Sequence, residues 1–178
     1  MNRVIVVVDE IYDFIEGGSL ACEHSVEAVA ATKQLIEQNA GTPVLFVCDH
    51  HPANHCSFTA QGGPWPPHCV AGTHGAEIHE LLQPFVQEEL VFYKGCNPEL
   101  EQYSGFEGKN TAGQTLGEVL ETLEPEEVII TGIATEYCVL NTAKDLKKAG
   151  WKVILAEDCL GWVTAAGHEE TLRIYHNS

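Results

Sequence analysis

The strongest constraint on this chain is a recurring pattern: short, unbroken apolar runs that each lead into a charged residue or a glycine. Residues 3–8 run into Asp9, 43–48 into Asp49, 90–93 into Lys94, 127–131 into Gly132, and 152–156 lead toward Asp158. A strand that is apolar on both faces belongs in a parallel sheet covered on both sides. The segments between the runs supply the cover. Residues 25–38 space Val26, Val29, Ala30, Lys33 and Ile36 for one helical face, and Asn39-Ala40-Gly41 stops the helix. Residues 115–123, 135–149 (closed by Gly150) and 165–175 read as further helices. Alternating strand and helix predicts an α/β fold with a parallel sheet between helical layers. Ligands in such folds bind beyond the carboxyl ends of the strands. The polar strand ends Asp9, Asp49, Lys94, Gly132 and Asp158 therefore mark the expected site.

Length and charge narrow the function classes. At 178 residues the chain is long enough for one domain with a substantial core, and the expectation is a single domain over 1–178. A net charge of −17 opposes nucleic-acid partners, which need a basic footprint, and anionic membrane surfaces alike. No apolar run approaches the length of a membrane span, and no signal peptide is read at the N-terminus. Seven cysteines without a Cys-x-x-Cys pair argue against a zinc ribbon or thioredoxin-like motif. They fit reduced thiols in a cytoplasmic protein.

Two stretches break the strand–helix rhythm, residues 50–75 and 95–113. Long irregular segments inside a compact domain are usually functional or disordered, and the Trp and histidines of the first argue against disorder. Where the chain leaves its second strand, Asp49 and His51 project to the same side if it stays extended. His68 is a third candidate ligand from the loop's return. His55 could be a fourth, with His50 and His74 as alternatives; a solvated surface loop is the competing reading. One carboxylate and two imidazoles suit Zn, Fe or Mn better than Ca or Mg. Cys138 follows a strand, a glycine turn and Thr135, a helix N-terminal position that favours thiolate. Asp9 could take its proton and Lys94 stabilise its charge. The competing reading is a buried, inert thiol.

Taken together, these residues resemble the nicotinamidase branch of the isochorismatase-like cysteine hydrolases. The resemblance rests on Val-Val-Asp at 7–9 with Asp13-Phe14, on Glu16-Gly17-Gly18-Ser19-Leu20 and on Asp49-x-His51-Pro52-Ala53-Asn54-His55. It rests further on Gly63-Pro64-Trp65-Pro66-Pro67-His68-Cys69-Val70, Phe92-Tyr93-Lys94-Gly95, Tyr103-Ser104-Gly105-Phe106 and Gly132-Ile133-Ala134-Thr135-Glu136-Tyr137-Cys138-Val139. It implies a three-layer α/β sandwich around a mainly parallel sheet of five or six strands, since relatives commonly continue into a further strand. It implies hydrolysis of nicotinamide to nicotinate and ammonia, with activity on pyrazinamide and a place in NAD salvage. By the same resemblance Cys138 is the nucleophile, Asp9 the base and Lys94 the third catalytic residue. One divalent ion (Zn, Fe or Mn) sits on Asp49, His51 and His68, and His55 matches a fourth ligand of some members. Phe14, Leu20, Trp65, Tyr103, Ala134 and Tyr137 line the substrate pocket. A cis peptide before Ala134 aims the N–H groups of Ala134 and Cys138 at one point as an oxyanion hole. The resemblance leaves open whether the protein is a monomer or a homo-oligomer.

One departure stands out. The family's Gln-Asn between the catalytic Asp and the Asp-Phe pair is here Ile11-Tyr12. That change leads to an expectation of altered polar support around Asp9. Two other readings follow from it: an amidase of the same superfamily for another small amide, and a non-catalytic metal-binding protein on this scaffold.

Overall fold

The computed structural model describes residues 2–178. Five strands form one sheet: β1 (Arg3–Val8), β2 (Val44–Asp49), β3 (Val91–Lys94), β4 (Glu127–Ile133) and β5 (Val153–Gly161). Their order is β3-β2-β1-β4-β5, and every neighbouring pair is parallel. The helices are α1 (Ser25–Gln38), α2 (Leu116–Leu123), α3 (Leu140–Lys148) and α4 (Ala165–His176).

The apolar runs become strands because β-branched residues fit a pleated surface and can be buried on both sides. Side chains alternate between faces. Val4, Val6, Val8, Leu45, Val47, Val128 and Ile130 pack with Leu116 and Leu120 of α2 and Ala143 and Leu146 of α3. Ile5, Val7, Phe46, Cys48 and Ile129 face the other way, toward Val29 and Ile36 of α1 and toward Leu82. Helical and loop layers thus cover both sides of the sheet. α2 begins with a capping box: the Glu118 amide donates to Thr115 Oγ1 at 3.1 Å, and the Thr115 amide to Glu118 Oε1 at 3.1 Å.

Three elements depart from the sequence reading. α1 has the expected limits, but its buried face is Ser25, Ala28, Val29, Thr32 and Ile36, while Val26 is 47% exposed. The helix is turned so that Thr32 can donate to the buried carboxylate of Glu10 at 2.6 Å. That satisfies a polar group apolar periodicity cannot see. β5 extends to Gly161 rather than ending near Asp158. Its register with β4 passes from Ile130↔Leu155 to Gly132↔Leu160, so a bulge turns Glu157 and Asp158 to solvent. Asp158 is therefore removed from the set of site residues. Finally, the helix expected over 135–149 starts as a π-helical turn, Thr135–Val139, before α3.

Gly132 is required by packing. Its φ is +125°, and a Cβ there would run into the backbone of Val8 on β1. The central strands could not otherwise approach so closely.

Candidate active site

The strand order places the carboxyl ends of β3, β2, β1 and β4 side by side. Asp49 and Lys94 are register partners at the ends of β2 and β3. Asp9 follows β1 with φ +50°, a left-handed conformation that Asp tolerates better than most residues. Its amide donates to Val47 O at 2.7 Å, and its Oδ1 accepts the Asp49 amide at 2.8 Å. Lys94 is the hub. Its Nζ lies 2.9 Å from Asp9 Oδ2 and 3.2 Å from Cys138 Sγ, and it hydrogen-bonds Asp49 Oδ1. Asp9, Asp49, Lys94 and Cys138 are all buried.

Burial governs the electrostatics. It raises the Asp9 carboxyl to about 6, helped by the charge of Asp49 and opposed by Lys94 and by a hydrogen bond with the Cys138 thiol. Burial also works against the Lys94 ammonium, but Asp49 and Asp9 outweigh it and hold the lysine well above its ordinary value. The Cys138 thiol is pushed well up by burial, with Lys94 pulling down and Asp9 and Asp49 adding to the rise. The sequence reading gave Cys138 a helix N-terminal position that favours thiolate, with Asp9 to take its proton. Here full burial and two carboxylates oppose that effect and the Lys94 ammonium, and the thiol stands beside the Asp9 carboxyl.

The turn that carries Cys138 is pinned at both ends. Tyr137 and Val139 amides donate to Ala134 O at 3.1 Å each, and the Leu140 amide closes the turn on Thr135 O. The Glu136 carboxylate accepts the amides of Val163 (3.0 Å) and Thr164 (2.9 Å). The Ile133–Ala134 peptide bond is cis.

Beside this cluster lies a second one. Asp49, His51 and His68 each present one ligand atom, all within 4.8 Å of one another and all buried. His51 Nδ1 is turned to Gly95 O at 2.8 Å and His68 Nδ1 to Pro66 O at 2.8 Å. Both carbonyls accept from Nδ1–H and leave the Nε2 atoms facing Asp49 Oδ2, at 3.4 and 4.0 Å. Burial works against a charged His51, but Asp49 raises its pKa. Burial lowers the His68 pKa and keeps that ring neutral. This donor set fits a divalent transition metal. Gly95 makes the arrangement possible, since with φ +69° any Cβ would strike the His51 ring. His55 is not part of the cluster. Its Nδ1 contacts Ser57 Oγ at 2.7 Å and its Nε2 contacts Leu100 O at 2.9 Å, so both nitrogens are engaged while the ring packs 4.0 Å from that of His51. His50 packs on Tyr93 and His74 stacks on Tyr12, both outside the cluster.

A single pocket opens onto Cys138, Asp49 and His68, and Phe14, Leu20, Trp65, Tyr103, Ala134 and Tyr137 all line it. Trp65 Nε1 donates to Tyr103 Oη at 3.3 Å, and Trp65 and Tyr137 meet edge-to-face at 5.4 Å. Ile11 and Tyr12 make their contacts away from Asp9. Ile11 is fully buried and bridges to Ile78, and Tyr12 Oη accepts the Glu80 amide at 2.9 Å.

Sequence reasoning missed several contributors. Asp13 Oδ2 accepts the Cys69 amide at 2.7 Å, which holds the loop bearing His68. Gln102 Oε1 accepts the Gly95 amide at 2.9 Å, and Glu101, Cys22 and Val163 also line the pocket. Asp13 lay inside a recognised motif; the others carried no signal of pattern or spacing.

Residues 3–177 match the Isochorismatase domain family. Nicotinamidase of Escherichia coli is 36% identical, with 89% of this chain and 83% of the relative covered. Nicotinamidase/pyrazinamidase of Mycobacterium tuberculosis is 37% identical, covering 92% and 88%. Among solved structures, the pyrazinamidase of Pyrococcus horikoshii in complex with zinc superposes with a TM-score of 0.88 at 32% identity, covering 99% and 96%. PnC1 of L. infantum in complex with nicotinate gives 0.85 at 30%, covering 99% and 89%. With its sheet order, its buried Asp–Lys–Cys cluster and this extent of likeness, the chain belongs to the isochorismatase family of hydrolases.

Proposed function

We propose that this protein is a metal-dependent nicotinamidase that hydrolyses nicotinamide to nicotinate and ammonia through a thioester on Cys138, and that it also accepts pyrazinamide. The observation that carries the reading is the sharing of one pocket: Cys138 and the Asp49/His68 edge of the donor cluster open onto the same aromatic-lined space. A small heteroaromatic amide can place its ring against Phe14 and Trp65 with its carboxamide at the sulfur. A Zn, Fe or Mn ion held by Asp49, His51 and His68 would supply a Lewis-acid site for a ring nitrogen.

The chain's own residues perform the rest. Asp9 removes the thiol proton as the sulfur bonds to the amide carbon. Asp9 is neutral once it holds that proton, and Lys94 offsets the negative charge left on Asp49 and on the reacting centre. The amides of Ala134 and Cys138 receive the tetrahedral oxyanion, each such donor being worth about 3 kcal/mol. Asp9 returns the proton to nitrogen as the C–N bond breaks and ammonia leaves. Asp9 then takes a proton from water as it attacks the thioester, and the sulfur departs to be reprotonated. The sum is one amide and one water to one acid and one ammonia.

The test is ammonia release from nicotinamide, pyrazinamide and aliphatic amides, before chelation, after it, and after restoring Zn²⁺. The reading expects both heteroaromatic amides to be turned over, with loss on chelation and recovery on reloading. Turnover of the aliphatic amides alone would favour an amidase of different specificity. No turnover of any would favour a non-catalytic metal-binding protein.

A further inference from the structure

We propose that His168 is a positioning residue for the nucleophile, acting through Thr135 from the far side of the turn that carries Cys138. Sγ of Cys138 must keep its place relative to Asp9 and Lys94, which stand on other strands. The turn between β4 and α3 is only one π-helical turn long, and its tethers come from the β5–α4 junction. Two are the Glu136 bonds to Val163 and Thr164. The third is a relay. Thr135 Oγ1 donates to Gly161 O at 3.2 Å, and His168 Nδ1 lies 2.9 Å from Thr135 Oγ1. A hydroxyl has one proton, and here Gly161 takes it. His168 must therefore supply the other hydrogen, from Nδ1–H.

The imidazole is held for that task. Trp162 is sandwiched between His168 (4.0 Å, 25°) and His24 (4.7 Å, 8°). His24 Nδ1 reaches Leu160 O at 2.8 Å, and Glu23 and Trp162 exchange backbone hydrogen bonds of 2.7 and 3.0 Å. The stack thus joins the Leu20–Cys22 wall of the pocket to the nucleophile turn. Burial lowers the His168 pKa, against the charges of Glu136, Glu157 and Glu169 and with that of His24, so the ring is neutral at pH 7. None of these groups touches the reacting sulfur, and the effect on Cys138 is through placement. A misplacement of about 1 Å costs a reaction on the order of a hundredfold, so a relay that holds the turn to a fraction of that distance has kinetic weight.

The inference rests on Cys138 as the nucleophile, and two readouts separate it from the substrate assignment. One is kcat and KM for nicotinamide. The other is the rate of iodoacetamide alkylation of Cys138, located by peptide mass, which needs no amide substrate. His168→Ala is expected to lower kcat and the alkylation rate together by roughly five- to tenfold, the scale of one lost hydrogen bond, with KM within about twofold. His168→Asn, which offers an N–H donor near the Nδ1 position, restores most of both rates, and Thr135→Ser keeps them while Thr135→Val does not. The double variant His168→Ala/Thr135→Val is no slower than the worse single one. Rates within about twofold of wild type in His168→Ala would overturn the proposal. So would additive losses, or losses that follow Tm without recovery in His168→Asn. Alkylation slowed as expected in a protein that ignores nicotinamide would overturn the substrate assignment and leave the role of His168 standing. A wild-type protein whose thiol is not alkylated and which does not turn over nicotinamide would overturn both.

Discussion

Burial and the carboxylates of Asp9 and Asp49 push the Cys138 thiol up against the pull of Lys94, and on the proposed mechanism Asp9 sets the pH response. Its carboxyl is raised to about 6, first by burial and then by Asp49. A base must be ionised to accept a proton, so kcat/KM for nicotinamide is expected to rise with pH through about 6 and then level. A pH–rate profile checks this; an acid limb near pH 4 would contradict it. Lys94 lowers the Asp9 value. Lys94→Met is therefore expected to move that limb to higher pH, beyond cutting the rate on the order of a hundredfold or more. At this scale the sequence was informative about identity and poor about state. It placed Asp9 and Lys94 at strand ends and Cys138 in the helical turn after a strand, and the geometry brings the three together. The helix position it named favours thiolate, but the opposing push of burial and two carboxylates depends on what shares the cavity, and that is a tertiary fact.

The elements were legible wherever one apolar pattern fixed one structure. β1, β2 and β4 are unbroken apolar runs, and all three lie in the sheet as expected. α1 was misoriented because its periodicity competes with a buried polar contact, Thr32 to Glu10. The bulge in β5 and the π-helical turn before α3 carry no mark in residue type, since both are responses to packing against β4. Two predictions belong here. Gly132→Ala places a methyl against the Val8 backbone and is expected to destabilise the protein by about 1–3 kcal/mol or more, read by denaturant unfolding. Glu10 is raised well above its ordinary value by burial, with Thr32 opposing. The folded chain therefore keeps a proton that the unfolded chain gives up, and this group's contribution to stability falls as pH rises from the unfolded value through the folded one. Glu10→Gln is expected to flatten that fall and leave the protein relatively more stable at alkaline pH. An unchanged pH–stability curve would contradict the assignment.

Across the whole molecule, five parallel strands bring side chains distant in sequence to one edge of the sheet. The α/β architecture, and the gathering of Asp9, Asp49 and Lys94 beyond the strand ends, followed from the apolar pattern and the general behaviour of such sheets. What did not follow was the sealing of the site: the loop fixed by Asp13, the Gly95 turn that receives His51, and the Trp162 stack depend on contacts between segments with no shared pattern. The same convergence makes the donor cluster a coupling between metal and fold. Zn²⁺ at about a hundredfold above its dissociation constant is expected to raise Tm by roughly 5–10 °C, and His68→Ala to remove most of that shift. On the proposed mechanism these strand ends form one hydrolytic device with Cys138 as its nucleophile, and the rate of ammonia release from saturating nicotinamide by Zn²⁺-loaded wild type and Cys138→Ala protein tests it. Wild type is expected to turn over and the variant to lose at least about a thousandfold; comparable rates in the two would contradict a nucleophilic Cys138.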